Sequence, residues 1–313
     1  MNTYLPEGSL ISTAKNHEYI STMAGLERAL ERQIILEAPA ILCDRDYRLH
    51  VSLGAHAKGI IPREESLAVC AGESIKDIAV LTRVGKPVCF TVTGFGYGEE
   101  GERIAYLSRR RAQEECRTYY VSTLLPGDIV EARVTHLEAF GAFMDIGCGT
   151  AALLPIDSIS VSRISHPRDR LSVGDRLCAV IRSIDERGRI YLSTKELLGT
   201  WEENAAQFSQ GQTVKGIVRS VESYGIFIEL TPNLAGLAEP KEGVRAGESA
   251  AVYIKSILPD RMKIKLILID TAAEREPAAP MRTFIDTERI RHIDRFVYSP
   301  PESRRLIETV FSQ

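Results

Sequence analysis

The apolar positions of this chain change period several times, and the changes divide it. Over residues 1–33, with Ile34 just beyond, Ile20, Met23, Ala24, Leu26, Leu30 and Ile34 fall near a 3.6-residue spacing, which predicts a polar lead and one helix capped by Thr13 or Asn16. From Ile34 the period drops towards two. Ile41-Leu42-Cys43, then residues 47–53, then Gly59-Ile60-Ile61-Pro62 read as short strands. After a segment holding Gly72, Ser74 and Asp77, residues 84–93 read as turn plus strand, Gly94 to Gly101 as a glycine-rich turn, and Arg103–Ser108 as the last strand of a small all-β unit. Residues 108–120 form a charged amphipathic stretch that Ser108 can cap. The arginines Arg109, Arg110 and Arg111 oppose the helix dipole there, so they serve a partner or are simply solvated.

A second β unit follows, with strands over 129–134, 143–146, 151–154, 177–184 and 190–192. Its polar connection, 157–175, carries Arg163, His166, Arg168 and Arg170, with Arg176 just beyond. Residues 193–208 read as a linker helix holding the only tryptophan, Trp201, in the position of a wedge between units. A third β unit runs from Gly211 through Tyr224-Gly225-Ile226-Phe227 to Arg261-Met262-Lys263-Ile264-Lys265. Residues 271–313 open with a Pro/Ala/Glu-rich hinge (272–280), and two short helical pieces are expected near 287–296 and 301–311, as a partner-binding tail or a cap.

Length and composition set bounds on this picture. At 313 residues, two to four compact units are expected. No apolar run is long enough to span a membrane, and the first residues lack a basic flank and apolar core, so neither a membrane partner nor a secretory leader is expected. The six cysteines stand singly, which favours reduced thiols in a cytoplasmic protein over a metal or disulfide framework. A net charge of -3 means that any nucleic-acid contact rests on local placement of charge.

The units repeat. Gly127 and Gly211, and Phe140-Gly141-Ala142-Phe143 and Tyr224-Gly225-Ile226-Phe227, are both offset by 84 (211 − 127 and 224 − 140). Leu107-Ser108 and Leu192-Ser193 are offset by 85, while Ile60-Ile61-Pro62 and Leu153-Leu154-Pro155 are offset by 93. The offset of 93 places Tyr47 under Phe140 (140 − 47) and His50 under Phe143 (143 − 50). Three copies of one barrel account for all these coincidences.

On those residues, and on the linkers Leu107 to Asp128 and Lys195 to Asn204, the second and third units resemble the RNA-binding OB-fold repeat named after small-subunit ribosomal protein S-one. The resemblance is closest over 107–270 and weaker over 38–106. It implies an all-β chain of three tandem five-stranded OB-fold barrels joined by short helical linkers. The divisions are an N-terminal helical extension (1–33), a degenerate barrel (34–108), a linker (109–123), a barrel (124–194), a linker (195–208), a barrel (209–270) and a C-terminal tail (271–313).

In such barrels bases stack on exposed rings. Two aromatics three apart in a regular strand face opposite ways, and Gly141 permits the bend that unites Phe140 and Phe143. The alternative is that a ring fills the barrel. Beside the turn Phe140 is the more exposed, while for Phe143 both readings stand. By resemblance, Phe140 and Phe143 occupy the aromatic positions and Asp185 and Arg189 the acidic–basic pair of the last turn. Arg187 adds a cation, and Pro155 replaces the usual histidine. In the third unit Tyr224, Phe227 and Lys263 match, Lys265 and Arg219 add charge, Pro259 replaces the acid, and Glu239 stands at the histidine position. The first unit keeps only Tyr47 and His50, and is expected to pack or to touch protein.

No nucleophile elbow, P-loop, HExxH or paired-cysteine motif is present, the six histidines lack ligand spacing, and Gly94-Phe95-Gly96-Tyr97-Gly98 opens no helix. No catalysis and no cofactor are expected. The resemblance implies binding of single-stranded mRNA near the small (30S) ribosomal subunit. The competing expectations are an RNA-binding regulator or ribonuclease accessory away from the ribosome, and a protein-interaction scaffold with weakened RNA binding.

Overall fold

The computed structural model describes residues 3–69, 74–273 and 281–311; Cys70, Gly72 and most of the hinge, 274–280, lie outside the described residues. The chain forms two compact units. One comprises the chain up to Leu124 with Glu131–Arg133 and Asp145–Ala151, and the other comprises Leu125–Val130, Val134–Met144 and everything from Ala152.

The first unit opens with two helices where the spacing predicts one: α1 (Ala14–Ile20) and α2 (Met23–Arg32). Each has its own cap, Thr13 accepting from the Asn16 N–H and Thr22 from the Gly25 N–H. Gly25 is the reason they can fold back so tightly, since a Cβ there would stand 2.4 Å from the Tyr19 carbonyl oxygen. Strands β1 (Leu36–Cys43), β2 (Leu49–Ser52) and β3 (Lys58–Ile61) follow, then α3 (Asp77–Leu81), β4 (Pro87–Tyr97) and β5 (Arg103–Ser108). They close a barrel in the order β1-β2-β3-β5-β4. Leu36, Leu49, Val51, Ile61, Phe90, Val92 and Leu107 fill it, and Leu26 of α2 packs on the same core. Strand β4 continues through Gly94 and Gly96, so the expected long glycine turn narrows to residues 98–101.

Helix α4 (Arg109–Tyr119) is capped by Ser108 as the sequence predicts, but two of its three leading arginines are held by carboxylates. Arg109 is only 2% exposed. Its Nε and Nη2 donate to the Glu7 carboxylate at 2.7 and 2.9 Å, and its Nη1 donates to the Ser66 carbonyl at 3.1 Å. Burial alone would raise the Glu7 carboxyl, yet the guanidinium beside it holds it below the usual carboxylate range. Arg110 pairs with Glu65, which leaves Arg111 as the exposed member of the three. In the same unit Asp145 accepts from the N–H groups of Glu7, Gly147 and Gly149, and Glu37 accepts from those of Gly8, Leu10 and Ile11.

Strands β6 (Ile129–Glu138), β7 (Gly141–Asp145), β8 (Ala151–Pro155), β9 (Arg176–Ile184) and β10 (Ile190–Ser193) close a second barrel in the order β10-β8-β7-β6-β9, with α5 (Ile156–Ile159) after β8. The linker helix is broken: a 3-10 turn, Lys195–Leu198, stops at Gly199, whose φ of 83° suits glycine, before α6 (Trp201–Ala205) begins at a Thr200–Glu203 capping box. Trp201 is 3% exposed and packs in the core of the third barrel. That barrel comprises β11 (Thr213–Glu222), β12 (Gly225–Thr231), β13 (Leu234–Ala238), β14 (Ser249–Leu258) and β15 (Lys263–Ala272), in the order β11-β12-β13-β15-β14.

The two helical pieces expected in the tail are not formed. Residues 281–311 are instead an extended strap with a small sheet of β16 (Arg295–Val297) and β17 (Glu308–Val310). Its backbone finds partners along the second unit: Ile293 N–H on the Gly127 carbonyl, Ile129 N–H on that of Arg291, and Trp201 N–H on that of Tyr298. Phe311 and Ile293 pack with Ile129, Val180 and Leu197. Chain that pairs with preformed elements does not need to satisfy its own backbone by coiling. No helix among the described residues is long and apolar enough to cross a membrane.

Candidate nucleic-acid interface

Directly paired strand residues point to the same side of a sheet. In the third barrel the pairs Ser220–Phe227, Phe227–Leu237 and Leu237–Lys265 therefore make one row across β11, β12, β13 and β15. Ile226 and Ile228 are buried in the core, so the row faces outward. The second barrel builds the same face. Ala142 and Met144 are fully buried while Phe143 between them is half-buried, and Leu153 pairs with Tyr191. The reading in which Phe143 fills the barrel is thus excluded, because its neighbours do so.

Phe140 lies in the turn before β7 and is 55% exposed. Its ring meets that of Phe143 edge-on, with centroids 6.0 Å apart and planes at 87°. Gly141 makes this possible by close packing, since a Cβ there would come 2.5 Å from the Leu154 carbonyl oxygen. The third barrel repeats the geometry. Tyr224, 66% exposed, meets Phe227 at 6.1 Å and 86°. In each pair the ring before the strand is exposed and its partner on the strand is half-buried.

Two side chains on the second barrel's face were not anticipated. His136 stacks on Phe143 at 6.3 Å and 28°, with its Nε2 2.6 Å from the Glu138 carboxylate. The hairpin register held the signal: in the third barrel Glu222 pairs with Gly225 and Ser220 with Phe227, and the 84-residue offset maps Ser220 onto His136. Tyr191 is the other. It stands on the row with Leu153, two residues from Arg189, where the 85-residue offset maps it onto Tyr106 of the first barrel.

Asp185 organises the last turn. Its Oδ1 accepts the N–H groups of Arg187 and Arg189, both at 2.9 Å, and its Oδ2 accepts from Arg189 Nε at 2.6 Å. The Arg189 N–H, with that side chain and Arg187, holds the Asp185 carboxyl below its ordinary value. Arg187 and Arg189 are exposed. In the third barrel Pro259 begins a 3-10 turn in place of that staple, and Lys263 and Lys265 project from β15 into solvent. Lys265 shares the outward row of Phe227.

Arg219, the remaining predicted cation, is placed elsewhere. Its side chain is 10% exposed, and its Nε donates to Glu229 at 2.6 Å while Nη1 lies 3.8 Å from Asp169. Arg170 pairs with the same glutamate. Those contacts leave Arg219 little surface for a phosphate. In the first barrel the corresponding row is Leu42, His50, Ile60 and Tyr106. His50 Nε2 lies 3.0 Å from Asp44, and Tyr47, at φ 58°, sits under the Arg63 guanidinium at 5.4 Å. Both positions are engaged internally. Among the described residues no cluster of His, Cys, Asp or Glu could hold a metal ion.

Three closed barrels of one repeated plan, two of them with outward aromatic pairs, define an S1-like protein with S1 repeats. Residues 124–195, the second barrel, match the S1 RNA binding domain. The small ribosomal subunit protein bS1 of Leuconostoc lactis is 34% identical over 170 residues, covering 50% of this chain and 39% of that protein. The bS1 protein of Streptococcus pneumoniae is 29% identical over 189 residues, covering 55% of this chain and 46% of its own length. The chain therefore spans less than half of these relatives. A solved multidomain protein with nucleic acid binding domains from Streptococcus pneumoniae aligns over 76% of this chain and 73% of its own, at 16% identity and a TM-score of 0.25, too distant a likeness to bear on function.

Proposed function

We propose that this chain is a non-catalytic, cytoplasmic protein that binds single-stranded RNA and works with the small ribosomal subunit in translation. The observation that carries the reading is the pair of outward rings, centroids about 6 Å apart, built twice on the same face of two barrels. Stacking on such rings contributes about 1–3 kcal/mol per base with little regard to sequence, which suits mRNA. The exposed cations Arg187, Arg189, Lys263 and Lys265 supply phosphate contacts beside the rings. The first barrel, with Tyr47 and His50 engaged, serves packing. The bS1 relatives support the ribosomal setting.

The test is binding to a single-stranded RNA oligonucleotide across a salt series, with Phe140→Ala/Arg189→Ala as the control, followed by co-sedimentation with small subunits at low salt. Affinity unchanged in the double variant sinks the site. Binding without co-sedimentation moves the activity off the ribosome.

A further inference from the structure

The connection between β8 and β9 belongs to the second barrel but is held against the third. Ser162 N–H donates to the Pro232 carbonyl at 3.0 Å, and Val161 N–H to Asn233 Oδ1 at 3.1 Å. Further along, Pro167–Asp169 form a 3-10 turn closed by a His166–Asp169 capping box. Pro167 is buried, Asp169 faces Arg219, and Arg170 pairs with Glu229. Every residue of that turn except one faces inward. The exception is Arg168, which is exposed and which no described carboxylate pairs. Arg163, one residue past Ser162, is likewise exposed and without a carboxylate partner among the described residues.

The position of this turn matters because of what lies beside it. Glu229 and Phe227 are two residues apart on β12, so both stand on the outer face, roughly 7 Å from each other at the rise of a strand. Arg219 immediately precedes Ser220, the cross-strand partner of Phe227. The buried ion cluster of Arg170, Glu229, Arg219 and Asp169 thus fixes the second barrel's turn along one margin of the third barrel's ring pair. Lys265 lies two strands away on the opposite margin.

We infer that the third barrel's RNA site is composite: the second barrel's connection lends it Arg168, and Arg163 behind it, as phosphate contacts for the strand stacked on Tyr224 and Phe227. This rests on the RNA-binding reading above and extends it. The buried arginines are positioning residues, and the exposed ones touch the ligand. It also explains why Arg219, on a strand beside the rings, is committed to an ion pair: it anchors the loop that brings a free arginine in its stead.

The experiment uses the full chain and a single-stranded oligouridine probe, measuring affinity against salt concentration. Each neutralised phosphate on a single strand steepens the log–log slope by about 0.7, so Arg163→Ala/Arg168→Ala should flatten it by about 1.4. Arg163→Lys/Arg168→Lys should retain the slope. In a Tyr224→Ala/Phe227→Ala background the alanine pair should have no further effect, whereas in a Phe140→Ala/Phe143→Ala background its effect should persist. A wild-type chain that binds no oligonucleotide overturns both readings. A wild type that binds, with a slope the alanine pair leaves unchanged, overturns the composite site alone. So does an effect that survives loss of Tyr224 and Phe227.

Discussion

The Glu7–Arg109 pair joins residues 102 positions apart in sequence and should dominate the stability of the first unit. Replacing Arg109 by Met keeps most of the side-chain volume and removes the charge. Glu7 then retains the Cys89 N–H at 3.1 Å and Arg83 at 3.5 Å, neither of which replaces a two-pronged guanidinium. Stranding a buried carboxylate in this way costs about 3–5 kcal/mol. For a unit of this size that is a fall in melting temperature of roughly 6–20 °C, taking about 2–4 °C per kcal/mol. Glu7→Gln strands the arginine instead and should cost a similar amount. The double variant Glu7→Gln/Arg109→Met leaves no charge uncompensated, and its loss should shrink to about 1 kcal/mol or less. Urea unfolding gives the three free energies, and amide exchange along α4 and β4 locates the effect. An Arg109→Met loss below about 1 kcal/mol, or a double variant as unstable as the sum of the singles, would refute the reasoning.

Two further outcomes are expected. Burial raises Glu37 to about 7 and Asp145 to about 7, so between about pH 4 and 7 the unfolded chain releases protons that the folded unit keeps, and stability falls as pH rises. Glu7 acts in the opposite sense, its contribution being lost as pH falls below about 4, so the first unit should be most stable at mildly acid pH. Glu37→Gln should flatten part of the decline, and a profile climbing steadily from pH 4 to pH 7 contradicts the assignment. Gly141→Ala places a methyl 2.5 Å from the Leu154 carbonyl oxygen, so β7 must shift on β8 and carry Phe140 and Phe143 with it. RNA affinity should fall along with stability, and wild-type affinity in a well-folded variant would show that the ring geometry is not what binds.

What the sequence disclosed was local or periodic. The strand alternation, the Ser108 cap and the union of Phe140 and Phe143 around Gly141 follow from residues within a few positions of each other. The barrel repeat follows from offsets. What escaped depends on distant partners. Nothing near Arg109 announces Glu7, and nothing near Arg219 announces Asp169 from another barrel, so both arginines read as surface charge. The strap read as helix because its amphipathic spacing is real, while the backbone groups that draw it into extended pairing lie at Gly127, Ile129 and Trp201. His136 was legible in principle, since hairpin register around the Ala139-Phe140 turn sets it opposite Phe143, but as a lone histidine it carried no motif.

The strap has a consequence in time. Synthesis runs from the N-terminus, so the second barrel is made long before residue 293, whose N–H closes on the Gly127 carbonyl 166 positions earlier (293 − 127). At about 5–20 residues per second, the 100 residues from the end of the barrel's last strand at Ser193 to Ile293 (293 − 193) take roughly 5–20 s. Through the interval, the backbone at Gly127 and Ile129 and the apolar surface of Ile129, Val180 and Leu197 lack their cover. The barrel that carries the Phe140–Phe143 pair therefore waits about a hundred residues for its strap, and slowing translation between codons 200 and 290 should lengthen the time a chaperone or another nascent chain can reach its uncovered surface.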